Sequence, residues 1–129
     1  MDHKDCSGTV VLVIEDDPMQ LTAMRMLMEG WGLSVVAALD GRQAASRVAE
    51  GAQPAVIVTD LRLSGGTSGI DAIEELRVAL GRDVPAILQT GDTSAESATE
   101  IRARGHDLLV KPYDPRRLRA LILERASYR

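Results

Sequence analysis

The sequence predicts an α/β fold: one parallel sheet of five strands with helices on both faces. Three observations predict it. Short apolar, β-branched runs alternate with longer amphipathic stretches along the whole chain, giving five βα units. The apolar runs carry no charge, as strands buried on both faces require. The chain has 129 residues, which suits one domain and is too short for two ordinary ones with a linker.

The first run, Val10–Ile14, is β-branched and too short for a helix. It ends abruptly in Glu15, Asp16 and Asp17. Asp17 followed by Pro18 reads as an N-cap and first helical position, and Leu21, Met24, Leu27 and Met28 follow at helical spacing until Gly30 closes the helix. A second strand is read over 33–38, a helix over 41–50, and a third strand over 55–59 that ends at Asp60. After a glycine-rich loop over 64–69, a helix carries Ile70, Ile73, Leu76 and Leu80. The remaining units are a strand over 84–88 with a helix over 94–104, then a strand over 108–110 with a helix over 115–125. Residues 1–8 read as a flexible leader, 9–126 as the domain and 127–129 as a tail.

Composition narrows the class. The net charge is −4, from 15 basic and 19 acidic residues, and 45% of the chain is hydrophobic, which excludes a disordered polyelectrolyte and argues against a dedicated nucleic-acid binder. There is no Phe, and Trp31, Tyr113 and Tyr128 are the only aromatics, so the core must be aliphatic. The basic residues Arg102, Arg104, Arg116, Arg117, Arg119 and Arg125 alternate with apolar ones at helical spacing and read as a solvated helix face. The single Cys6 has no disulfide partner and points to a cytoplasmic protein, and no apolar stretch approaches the roughly 20 residues of a membrane span. His3 and His106 have no ligand partners at metal spacing, and the methionines of the first helix read as packing and surface.

Parallel sheets place functional groups at the carboxyl ends of their strands. Applied here, that rule brings Glu15, Asp16, Asp17, Asp60, Thr90 and Lys111 to one rim. Each residue alone is unremarkable, since acidic groups at strand ends often cap helices. Four strand ends supplying acid, acid, hydroxyl and ammonium are harder to attribute to capping. Converging carboxylates repel one another and are costly to bury unpaired, so cations must neutralise them. Lys111 is one, and hard carboxylate oxygens suit Mg²⁺ as the other.

The runs Val13-Ile14-Glu15-Asp16-Asp17-Pro18, Thr59-Asp60-Leu61-Arg62-Leu63, Gln89-Thr90-Gly91 and Val110-Lys111-Pro112-Tyr113 resemble, in order and spacing, the receiver domains of two-component response regulators. The likeness covers residues 9–126. It implies a flavodoxin-like sheet of strand order 2-1-3-4-5, with Asp60 as phosphoacceptor and Glu15 and Asp16 as the acidic pair. Asp16, Asp60 and the backbone carbonyl of Arg62 would bind Mg²⁺, with Glu15 acting through water. Thr90 and Lys111 would each take a phosphoryl oxygen, a cis Lys111-Pro112 bond would aim the ammonium, and Gly91 would leave room for the donor. The partner implied is a histidine kinase or histidine phosphotransfer domain. The segments 89–92 and 111–115 look most like receivers attached to hybrid histidine kinases. The expected activity is self-phosphorylation with slow hydrolysis, not that of a conventional enzyme, and the chain shows no DNA-binding domain or membrane segment.

Two features depart from the family's pattern, and one residue pair beside the site is singled out. Ser64 stands where a proline is usual and Gly69 falls one residue late, so the loop after Asp60 is longer by one. Leu108 replaces the aromatic residue that commonly relays the state of the threonine, so a phosphorylation signal is expected to leave by another route, such as that longer loop. Arg62 and Asp92 flank the entrance and are expected to pair across it, slowing hydrolysis. Two other classes compete. A phosphorylation-independent scaffold would tolerate Asp60→Asn. A haloacid-dehalogenase-like phosphatase would need Asp-x-Asp after the first strand, which Glu15-Asp16-Asp17 does not supply, and the 65–69 glycine run lacks a P-loop lysine.

Overall fold

In the computed structural model the described residues are 8–63, 68–91 and 95–126, with backbone alone for 95–97. The elements are β1 Val10–Ile14, α1 Pro18–Gly30, β2 Ser34–Ala38, α2 Gly41–Ala49, β3 Val56–Asp60, α3 Gly69–Leu80, β4 Ala86–Thr90, α4 Ala95–Ala103, β5 Asp107–Val110 and α5 Pro115–Ala126. All strand pairs are parallel and the sheet order is β2-β1-β3-β4-β5, as the resemblance implies. The Lys111-Pro112 bond is cis. The leader up to residue 7, with Cys6, and the tail 127–129 lie outside the described residues, as do 64–67 and 92–94.

Period-two alternation divides the core into two layers. Leu12, Ile14, Ile57 and Leu88 face one way, against Ala44 of α2, Ile70, Ile73 and Leu76 of α3, and Ile101 of α4. Val11, Val13, Val58, Ile87 and Leu109 face the other, against Met28 of α1 and Leu118 and Ile122 of α5. Residues 11–14 of β1 have no exposed surface at all, so this interior strand is held from both sides. Each fully buried Leu or Ile contributes about 1.5–3 kcal/mol relative to exposure. Trp31 and Tyr113 sit half-buried at the margin of the second layer, which leaves the interior aliphatic as composition requires.

Polar caps fix where the helices begin. Asp17 accepts from the Met19 amide at 2.9 Å, Asp40 from Gln43 at 2.8 Å, and Ser68 from Asp71 at 3.0 Å, each satisfying an amide that has no partner within its helix. The Gln43 side chain returns the bond to the Leu39 amide at 2.8 Å.

The main correction to the sequence reading is β4, which runs two residues later than 84–88. Pro85 has no amide to donate and contributes its carbonyl to Ile57, while Val84 donates to Arg82, so the ladder opens at Ala86. At the other end Gln89 and Thr90 continue the strand. Their polar side chains suggest a loop, but the backbone pairs Asp60 with Gln89 and Thr90 with Val110. Asp60 likewise belongs to β3 itself, because the following amide of Leu61 donates to the Gln89 carbonyl at 3.0 Å. The other bounds differ from the sequence reading by one residue or so at their ends.

Gly69 opens α3 directly against the end of β3. Its amide donates to the Leu61 carbonyl at 2.6 Å, and a Cβ built on it would lie 2.1 Å from the Asp60 carbonyl oxygen and 2.9 Å from Leu88 Cδ2. Space, not backbone dihedral, requires glycine there. Gly69→Ala is therefore expected to destabilise the protein by about 1–3 kcal/mol, the ordinary cost of overpacking, measured by urea unfolding. Gly30→Ala, whose Cβ meets nothing within 4 Å, should stay within about 0.5 kcal/mol of the wild type. Equal effects of the two substitutions would refute the close-contact account.

Candidate functional site

The carboxyl ends of β1, β3, β4 and β5 open onto a cleft of about 450 Å³ lined by Asp60, Arg62, Gln89, Thr90, Gly91 and Lys111. Backbone pairing sets each position. The Glu15 amide donates to Ala38 at 3.0 Å, which carries the β1 register one residue past the strand and holds Glu15 inside. The Lys111 amide donates to the Thr90 carbonyl at 2.7 Å, joining the β4 and β5 ends.

Glu15 is 1% exposed. Its Oε2 accepts from the Asp17 amide at 3.1 Å, whereas its Oε1 is buried without a hydrogen bond and lies 3.9 Å from Lys111 Nζ. Asp60 Oδ1 lies 3.0 Å from the same ammonium; that ion pair is its contact, for it too is buried without a hydrogen bond. One oxygen each from Glu15, Asp16 and Asp60 can be chosen so that all three lie within 4.8 Å of one another. Glu15 and Asp60 thus share the Lys111 ammonium, with Asp16 beside them.

The electrostatic consequence falls on the most buried member. Burial pushes the Glu15 carboxyl up to about 7, with the neighbouring Asp60 carboxyl adding to the shift and the Asp17 amide opposing it. Tyr113, whose hydroxyl lies behind the cleft, is pushed up to about 12 by burial and by the charges of Asp60 and Glu15. A divalent cation meets the need these groups leave. Two buried carboxylate oxygens lack hydrogen-bond donors, the donor set is all oxygen, and Mg²⁺ binds through one or two carboxylates while keeping waters and phosphate oxygens in its shell.

The residues singled out in the sequence mostly meet here. Glu15, Asp16, Asp60, Thr90 and Lys111 converge, and Arg62 and Gly91 line the cleft. Asp17 stays outside as the α1 cap. Pro112 is exposed beside Lys111. Arg62 forms an isolated antiparallel bridge with Ser68. Asp92 lies outside the described residues, so the expected pair with Arg62 is not placed, and the same holds for the extra residue of the 64–68 loop. Leu108 is half-buried, paired with Leu88 and packed against the α2–α4 layer. His106 is 5% exposed, neither ring nitrogen has a hydrogen bond, and burial lowers its pKa, so it is a neutral core residue rather than a ligand.

Sequence reasoning missed Gln89. It is 1% exposed, accepts the Tyr113 hydroxyl, and donates to Met24 Sδ at 3.3 Å. The available signal was a lone amide closing an apolar run, immediately before the threonine of the site.

Comparison with known proteins gives a consistent result. The family model "Response regulator receiver domain" matches residues 11–123. The Transcriptional regulatory protein ZraR of Escherichia coli (strain K12) is 36% identical over 113 residues, covering 87% of this chain and 25% of that protein. The chain therefore spans about a quarter of that relative's length. Among solved structures, the Francisella response regulator 1452 receiver domain superposes with a TM-score of 0.80 at 25% identity, covering 92% of this chain and 97% of that one. A Vibrio cholerae chemotaxis protein, CheY4, gives 0.78 at 26% identity, covering 90% and 97%.

The raised Glu15 value has a definite sign in stability. A carboxyl whose pKa is higher folded than unfolded binds its proton more tightly in the native state, so its contribution is complete below 4.5 and is lost as pH rises through about 7. In chelator-treated buffer the unfolding free energy should fall across that window, and Glu15→Gln should flatten the fall. Urea titrations at several pH values measure this; an unchanged slope in Glu15→Gln would refute the assignment.

Proposed function

The chain belongs to the response regulator receiver domains, and from that premise we propose that Asp60 accepts a phosphoryl group from a phosphohistidine. The observation that carries the reading is the Lys111 ammonium 3.0 Å from Asp60 Oδ1, beside the carboxylates of Glu15 and Asp16. Phosphoryl transfer asks a protein chiefly for an in-line nucleophile and for cations that neutralise charge on the transferring oxygens. An Asp60 carboxylate oxygen attacks phosphorus, the P–N bond to the donor imidazole breaks, and the electron pair returns to that ring. The product is an aspartyl phosphate.

Each neighbour then has a role. Asp16, Asp60 and the Arg62 carbonyl would hold Mg²⁺, with Glu15 acting through water; the ion supplies positive charge to the phosphoryl oxygens. Lys111, already on Asp60, transfers its contact to a phosphoryl oxygen, and the Thr90 hydroxyl donates to another. Gly91 places no side chain at the entrance. Arg62 lines the cleft and, together with Asp92, slows hydrolysis of the phosphoryl group. The donor is a histidine kinase or histidine phosphotransfer domain. The similarity of segments 89–92 and 111–115 to receivers of hybrid histidine kinases supports a cytoplasmic phosphorelay of that kind. Among the described residues no helix is long and apolar enough to cross a membrane.

Incubation with acetyl phosphate and Mg²⁺ should add one phosphoryl group by intact mass. None should appear on Asp60→Asn or with chelator present, and equal modification of Asp60→Asn would overturn the assignment. Independently of phosphorylation, Mg²⁺ at about a hundred times its Kd should raise the unfolding free energy by about 2.7 kcal/mol. Calorimetry of Asp16→Asn should show most of that gain gone; an undiminished gain would place the ion elsewhere.

A further inference from the structure

Gln89 is a neutral amide in an apolar layer. On β4 it shares a face with Ile87, which packs in the α1–α5 layer, while Leu88 faces the opposite one. An unpaired amide there would cost about 1–3 kcal/mol. Instead both ends of the side chain are engaged, by different elements: the oxygen by the Tyr113 hydroxyl and the nitrogen by Met24 Sδ of α1 at 3.3 Å. The backbone of the same residue pairs with Asp60 across the β3–β4 ladder, and its carbonyl accepts the Leu61 amide at 3.0 Å.

Tyr113 lies two residues beyond Lys111. The lysine side chain is 35% exposed, so burial alone does not set where its ammonium goes, and its four-carbon stem is flexible. Its place depends on the turn that carries it. One side of that turn is fixed by the Lys111 amide on Thr90 at 2.7 Å. The other side is fixed by Tyr113, whose ring packs in the α1–α5 layer and whose hydroxyl is bonded to Gln89. Both fastenings end on adjacent residues of β4, the strand next to Asp60. A displacement of about 1 Å in such a positioning group is enough to slow a reaction substantially.

We propose that Gln89 and Tyr113 are positioning residues for phosphoryl transfer: their part-buried hydrogen bond latches the 111–113 turn and thereby holds the Lys111 ammonium on Asp60. The contact between Gln89 and Met24 ties the latch to α1. This inference rests on the reading of Asp60 as phosphoacceptor and adds to it a way of controlling the lysine from the far side of the sheet.

The test compares Tyr113→Phe, Gln89→Met and the double variant, using acetyl phosphate and Mg²⁺ with mass readout of the rate, and thermal unfolding of each. Each single variant should be phosphorylated about three- to tenfold more slowly, the kinetic equivalent of one hydrogen bond of ordinary net strength. Each should also lose stability, because one buried polar partner is left unmatched. In the double variant both partners are apolar, so stability should recover toward wild type while the rate stays low. A rate that recovers together with stability would reduce the pair to a packing role and overturn the proposal. So would wild-type rates in folded single variants. Absence of phosphorylation on the wild type would instead overturn the phosphoacceptor reading, an outcome distinguishable from either.

Discussion

The ion pair between Lys111 and Asp60 is the interaction on which the site's geometry turns. Three carboxylates are brought together by strands that have no freedom to separate, and one ammonium stands among them at 3.0 Å and 3.9 Å from two of their oxygens. Removing one partner of such a pair leaves charge in a poorly solvated place. Burial, more than the neighbouring charges, raises the Glu15 carboxyl. Close carboxylate oxygens, two of them without a hydrogen bond, form a set that suits a hard cation.

The sheet holds this cluster in place. β1 is fully buried along residues 11–14 and clamped between β2 and β3, which keeps Glu15 turned inward. Gly69 lets α3 begin close against the end of β3, with no room for a side chain between the helix and the Asp60 carbonyl. The lysine, by contrast, sits on a turn beyond the last strand and is a third exposed. Exposure is therefore graded across the site: Glu15 and Asp60 are held inward at their strand ends, and the ammonium is the more exposed partner. Such a division leaves the lysine free to shift without disturbing the core.

Much of this was legible in the sequence because period and chemistry agree. Uncharged β-branched runs bounded by Asp, Thr and Lys state both the parallel sheet and the rim where function gathers, and Asp17-Pro18 separates a cap from the acidic pair that precedes it. The misreading of β4 has a physical source. Gln89 and Thr90 look like the start of a loop, whereas a strand at a sheet's functional edge keeps its ladder while exchanging apolar side chains for polar ones. Proline at 85 misleads at the other end, since it can accept in the ladder but cannot donate. Nothing in local pattern reports that Tyr113 reaches back to Gln89, because that bond spans 24 positions and depends on how α5 is laid against the sheet.

The scarcity of aromatics bears on how the site communicates. With leucine at 108, paired with Leu88 inside the α2–α4 layer, the contact made there is one of shape. The other side of the sheet carries a polar handle. Gln89 stands next to Thr90 in the chain, pairs with Asp60 across the ladder, and is bonded to both α1 and the turn that carries Lys111. Hydrogen bonds confined to an apolar layer have few alternative partners, so they change arrangement discretely and not by gradual drift. If Lys111 moves when Asp60 is modified, the turn, Tyr113 and Gln89 are joined to that movement, and Met24 receives it on α1. A single glutamine in an aliphatic layer thus joins the turn that carries Lys111 to α1.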